Sequence, residues 1–182
     1  EYSGISLSKK KADIMKNQIE FLGIQIDKNG IKMQTHIVQK IINSNEQLDT
    51  KKKLQSFLGL VNQVREYIPK LAENLKPLQQ KLKKDIEYQF DKKDQTQIKK
   101  VKLLCKNLPK LYFPDENKKF TYIVESDASE KSYGGILKYR YDDTTIEHHC
   151  RYYSGTFNNT EIKWEINRKE LYALYKCLLA FE

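Results

Sequence analysis

The sequence predicts an α+β chain of more than one domain, and three observations carry that expectation. Apolar residues recur at helical spacing through most of residues 36–107. Runs of alternating apolar and polar residues occupy two separate places, one near residues 18–34 and one beyond residue 118. Between the helical part and the second set of strands, "NLPKLYFPDENKKF" sets Pro109 and Pro114 around a turn-rich stretch, the composition of a boundary or linker. With 182 residues, 39% hydrophobic and 31% charged, the chain can bury a core as one large domain or two small ones.

Taken in order, residues 18–34, "QIEFLGIQIDKNGIKMQ", read as two short strands. Ile24 and Ile26 flank Gln25, Ile31 and Met33 flank Lys32, and "DKNG" supplies the hairpin turn. A helix follows in "THIVQKIINS", with Ile37, Val38, Ile41 and Ile42 as its apolar positions. Asp49 is the expected N-cap of the next helix, from about residue 50 to 68. Its stripe is Leu54, Phe57, Leu58, Val61, Val64 and Ile68, and Pro69 stops it. A third helix spans roughly 71–84 on Leu71, Leu75, Leu78 and Leu82, where Pro77 demands a kink or a later start. The fourth, about 92–107, has Asp91 as cap and buries Ile98, Val101, Leu104 and Cys105. Short connections make these an antiparallel bundle. Strands are expected at 119–126, 134–141 and 147–157, then a helix over 163–181 packed on their sheet through Leu171, Leu174, Tyr175, Leu178 and Leu179.

Charge divides unevenly. Residues 1–110 carry 23 Lys+Arg against 12 Asp+Glu, and residues 111–182 carry 10 against 12. The basic half contains a single arginine, Arg65, so its field is made by lysine, a flexible point charge toward phosphate rather than a reader of base edges. A polyanion held by its backbone fits this, and so does a lysine-rich solubilising surface. Cys105, Cys150 and Cys177 show neither a zinc spacing nor a disulfide framework, which points to reduced thiols inside a cell. No apolar run has the length of a membrane span and no signal peptide opens the chain. The opening "EYSGISLSKKK", without an initiator Met, looks cut from something longer.

The chemistry concentrates in "YIVESDASEKSYGGILKYR", where a strand ends on Asp127. An unpaired charge there is costly, and a turn-forming or capping role is the plain explanation. Glu170 lies four residues before Leu174 and eight before Leu178, on or beside the apolar stripe of the last helix. If the two carboxylates converge at one end of the sheet they repel unless a cation sits between them, and an oxygen-only site open to water suits Mg²⁺. Lys169 and Lys176 are alternative partners for Glu170. His148 and His149 point to opposite faces of a strand and do not easily share a metal. Trp164 is expected to pack at the start of the last helix, and core packing is the default for Tyr152 and Tyr153. On the helix at 50–68, Gln55, Gly59, Asn62 and Glu66 fall opposite the leucine stripe. They form either a solvated face, with the glycine admitting a neighbouring helix, or a surface for a minor groove.

Six stretches in order carry a resemblance: "FLG" at 21–23, "LQSFLGLVNQVREYIPKLAENLKPL" at 54–78, "SDAS" at 126–129, "GGIL" at 134–137, "CRYYSGTF" at 150–157 and "KELYAL" at 169–174. Together they resemble the reverse transcriptase–RNase H segment of plant pararetroviruses, the caulimovirids, with gypsy-type retrotransposons as close relatives. The resemblance implies that residues 1–35 are the end of a polymerase palm, with Phe21, Leu22 and Gly23 in a hairpin gripping the primer terminus. Residues 36–107 would be a helical thumb and 108–182 the N-terminal part of an RNase H-like α/β domain. It makes Asp127 and Glu170 catalytic, metal-binding carboxylates of a site using two Mg²⁺ ions to cleave the RNA strand of an RNA–DNA hybrid. It places Lys51, Lys52 and Lys53 near phosphates and Gln55, Gly59 and Asn62 in the hybrid's minor groove.

The last two RNase H carboxylates and the palm's paired aspartates are missing from this sequence, so the expectation is a nearly inert piece of an enzymatic viral polyprotein. Its implied partners are an RNA–DNA hybrid, a DNA duplex with a primer terminus and the rest of that polyprotein, with no membrane. A monomer in the host-cell cytoplasm and the virion is expected. Two other readings stand beside it. One is a non-catalytic connection module that only holds duplex; the other is an unrelated lysine-rich structural protein.

Overall fold

The structure, a computed structural model, describes residues 15–182; residues 1–14 of the expected palm end lie outside the described residues. The first sheet is antiparallel and built from β1 (Gln18–Phe21), β2 (Ile24–Asp27), β3 (Gly30–Met33) and β4 (Leu111–Tyr112), side by side in that order. Two strands were expected, and two more are present. β1 joins β2 through Leu22 and Gly23, both at positive φ, the backbone that a two-residue hairpin turn demands. β4 comes from the proline-bounded stretch, which therefore returns to pair with β3. Gly30, at φ 152°, makes that pairing possible, because a Cβ there would run into the Leu111 carbonyl.

Four helices share one core with residues of this sheet: α1 (Thr35–Ile42), α2 (Lys51–Asn62), α3 (Leu71–Gln80) and α4 (Lys92–Lys106). Their core contains every member of the α2 stripe, with Leu54, Phe57, Val61, Val64 and Ile68 at 2% exposure or less. The cap of α2 is Thr50, whose hydroxyl accepts from Lys53 N at 3.3 Å, and not Asp49, which pairs with the Lys53 ammonium at 2.5 Å. The helix ends at Asn62, earlier than expected. A 3₁₀ turn at Arg65–Tyr67 then carries Ile68 into the core. α3 keeps Pro77 inside it and begins at Leu71, so no later start is needed. α4 opens with a reciprocal cap between Asp91 and Asp94. Leu104 is only half-buried, while Ile98, Val101 and Cys105 are fully enclosed.

The second sheet is an antiparallel meander of β5 (Phe120–Ala128), β6 (Ser132–Tyr141) and β7 (Glu147–Thr156), in that order. One face carries α5 (Ile166–Phe181); the other receives residues 65–76 of the helical half. The expected packing of α5 is reversed. Leu171, Leu174, Tyr175, Leu178 and Leu179 are 37–68% exposed, and the helix meets the sheet through Ala173 and Cys177, both at 0%. The reason is closeness: Cys177 Sγ lies only 2.5 Å from where a Cβ on Gly135 would be, so large side chains cannot enter. Lys169 is buried beside them, its ammonium donating to the Glu130 carbonyl at 2.9 Å. Trp164 packs edge-on against Tyr172 of α5, as expected for the start of that helix. Among the described residues, no helix is long and apolar enough to cross a membrane.

Candidate functional site

Asp127 is the last residue but one of β5, paired with Gly134 of β6, which pairs in turn with Ser154 of β7. Side chains alternate along a strand. The neighbouring row, Ser126–Gly135–Tyr153, faces α5 through the Gly135–Cys177 contact, so Asp127 faces the helical half. There its carboxylate accepts from the Lys70 ammonium at 2.6 Å, an ion pair in which each side chain is 59% exposed. Pro69, Lys70, Glu125, Asp127, Ile136 and Tyr152 surround a cleft of about 280 Å³ at this point. Lys70 stands at φ 51°, ψ 26°, the left-handed region. That conformation costs a residue with a Cβ on the order of 1 kcal/mol.

Glu170 is two turns before Cys177, on the sheet-facing side of α5, and half-buried. The start of α5 lies at the Asp127 end of the sheet, since Lys169 bonds to Glu130 in the β5–β6 turn. The two carboxylates thus share one end of the sheet and approach it from opposite faces, and the structure joins Asp127 to Lys70 rather than to Glu170. Lys169 and Lys176 make no ion pair with Glu170. Among the described residues no three His, Cys, Asp or Glu side chains gather as a metal-holding group. His148 stacks on Tyr139 at 4.9 Å, and His149 meets the Tyr152 hydroxyl at 2.9 Å. Tyr153 packs between Tyr133 and Phe181, and burial pushes the Cys150 thiol up to about 11. These are structural placements.

The outward face of α2 is open. Lys52, Gln55, Gly59 and Asn62 are exposed, and a Cβ on Gly59 would meet nothing within 4 Å, so no helix among the described residues uses the glycine for packing. Lys51 is committed elsewhere, its ammonium donating to the carbonyls of Lys83 and Ile86 at 2.9 and 2.8 Å. Lys53 leans on Asp49. Glu66 leaves the face altogether and binds Arg151 at 2.6 Å. At the tip of the β1–β2 hairpin, Phe21 and Leu22 are 60% and 83% exposed, while Gly23 packs over Ile37.

Sequence reasoning missed how residues 65–76 bind the second sheet. Arg65 donates to the Ser154 carbonyl at 2.5 Å, Ala72 N to the Ser154 hydroxyl at 3.0 Å and Lys76 to the Phe157 carbonyl at 2.9 Å. Ser132 donates to Glu73 at 3.1 Å, and Arg151 pairs with Glu66. The one available signal was the isolated arginine, Arg65, in a half otherwise served by lysine.

A three-stranded meander with a helix laid on one face and a carboxylate closing its first strand is the arrangement of an RNase H-like unit. Residues 90–182 match the family described as the RNase H-like domain found in reverse transcriptase, and the chain belongs to that family. The putative enzymatic polyprotein of cassava vein mosaic virus is 44% identical over 98% of this chain and 28% of its own length. That of figwort mosaic virus (strain DxS) is 44% identical over 100% of this chain and 27% of its own length. The caulimovirus kinship expected from the motifs is thereby established, and the chain spans about a quarter of the length of the curated relatives it matches. Among solved structures, the foamy viral protease-reverse transcriptase in complex with RNA/DNA hybrid superposes with a TM-score of 0.76 at 25% identity, over 94% of this chain and 23% of that one. The same protein in complex with dsDNA gives 0.75, over 94% and 35%.

Proposed function

We propose that this chain is the duplex-gripping thumb of a viral reverse transcriptase together with the beginning of its RNase H centre. The polymerase and hybrid-degrading activities would belong to the parent polyprotein. The observation that carries the reading is the open face of α2: a glycine with free space over it, flanked by two amides and a lysine, that none of the described residues covers. Amides read a minor groove without strong base preference, and lysine supplies phosphate attraction. The relatives' description as enzymatic polyproteins and the neighbour's hybrid complex support it.

The donor set fits Mg²⁺ in kind. Asp127 and Glu170 offer hard carboxylate oxygens, and Asp127 already stabilises a positive charge. Among the described residues β5 is the outer strand of its sheet, and groups on its two faces would meet at that edge. Asp127 and Glu170 would hold such ions, and the chemistry supplied there would be activation of a water and stabilisation of the leaving oxygen in phosphodiester hydrolysis. Within this chain, Asp127 and Glu170 would hold and orient the ions, and the α2 face would fix the hybrid's register. In the full parent polyprotein, Asp127→Asn and Glu170→Gln should each abolish Mg²⁺-dependent cleavage of a hybrid while leaving its binding intact. Cleavage by either variant at the unmodified rate removes that residue from the centre.

The rival reading, a connection module that holds duplex without cutting, draws on the Lys70–Asp127 pair, which uses the carboxylate as a structural tie. On this reading any hybrid cleavage by the full polyprotein arises elsewhere, and Asp127→Asn should leave it unchanged.

A further inference from the structure

We propose that Lys70 is a built-in counter-ion for Asp127, which a divalent cation must displace, so that the helical half of the chain guards the first carboxylate of the nuclease centre. The inference rests on the nuclease reading given above.

The ammonium comes from the other half of the molecule, 57 residues away in sequence, and sits 2.6 Å from Asp127 Oδ2. Its position is set from behind. Ile68 and Leu71 on either side of the Pro69–Lys70 tip are 2% and 0% exposed, and Asn74 Nδ2 donates to the Lys70 carbonyl at 3.3 Å. The left-handed backbone at Lys70 is held between these anchors, which present the side chain to Asp127. Other contacts already dock the segment on the sheet: Arg65 and Ala72 on Ser154, Lys76 on Phe157 and Glu73 on Ser132. The Lys70–Asp127 pair is therefore free to open without the halves parting. The exchange involves only ions: one cation leaves the carboxylate and another takes its place. The cleft beside the pair opens to solvent and gives a hydrated ion an approach. The other acid there, Glu125, is engaged by Lys138 at 2.7 Å, which leaves Asp127 as the carboxylate whose partner decides access.

The test is a Mg²⁺ titration of the 182-residue chain followed by NMR, reading both the amide shifts of residues 125–135 and the Lys70 ammonium resonance. Exposed ion pairs are weak, so Lys70→Met should tighten Mg²⁺ binding by roughly two- to fivefold. Lys70→Arg should bind as the unmodified chain does. Lys84→Met, an exposed lysine away from the cleft, controls for the lost net charge and should change nothing. In the unmodified chain, Mg²⁺ should shift the Lys70 ammonium resonance toward its free position. Equal affinity in Lys70→Met, alongside loss of binding in Asp127→Asn, overturns the counter-ion and leaves the nuclease reading standing. Undiminished binding in Asp127→Asn overturns both.

Discussion

A methyl group placed on Gly135 would sit 2.5 Å from Cys177 Sγ and 2.6 Å from the Glu125 carbonyl, whereas one on Gly59 would meet nothing. The same substitution therefore has opposite signs at the two positions. Gly135→Ala should destabilise the chain by about 2 kcal/mol in urea unfolding, because α5 must be pushed off the sheet. Gly59→Ala should stabilise it by about 1 kcal/mol through helix propensity alone, yet weaken hybrid binding if the α2 face lies in a groove. A gain of stability with undiminished hybrid affinity would remove Gly59 from the interface. Tyr67 offers a third contrast. Its hydroxyl is buried without a hydrogen-bond partner among the described residues and burial pushes it up to about 12, so Tyr67→Phe should be neutral or stabilising by up to about 1 kcal/mol.

Among the elements, α5 shows where pattern reading works and where it stops. Its existence follows from apolar residues at helical spacing in a stretch without Gly or Pro, but that stretch is apolar on two faces, one large and one small. Periodicity cannot choose between them; the choice was made by Gly135 on β6. Ala173→Leu should accordingly cost about 1–3 kcal/mol, while Leu174→Gln and Leu178→Gln stay within about 0.5 kcal/mol in this chain, as denaturation midpoints will show. The α2 stripe was legible because its amphipathicity is one-sided, and the β5–β7 meander because its strands alternate between turn signals. β4 was not legible, since two residues contain no period. Neither was the Asp127–Lys70 pair, a meeting of residues far apart in sequence. Thr50 rather than Asp49 became the cap because the helix starts one residue later than the acid suggested. Thr50→Ala should cost about 1 kcal/mol and Asp49→Ala much less.

For the whole molecule, the three thiols set an alkaline limit. Burial raises Cys105 to about 12, and Cys150 and Cys177 to about 11, from an ordinary value of 9.0. Above pH 9 the unfolded chain releases these protons while the folded chain keeps them. The folded state then binds more protons, so stability, full below pH 9, falls as pH climbs toward 11–12. Unfolding midpoints at pH 8 and pH 10.5 should differ in that direction, and Cys105→Ala should reduce the difference. The two halves differ in charge but not in mechanical standing. β4 ties the chain back onto the hairpin sheet, and residues 65–76 are fastened to the meander by bonds that span more than fifty positions of sequence. If the α2 face proposed above holds a duplex, that duplex would be measured from a fixed origin: the number of base pairs between its contact with the helix and the tip of β5 would be a property of the scaffold. Lengthening α2 by one turn should therefore move any cut made there by a discrete step along the strand instead of blurring it.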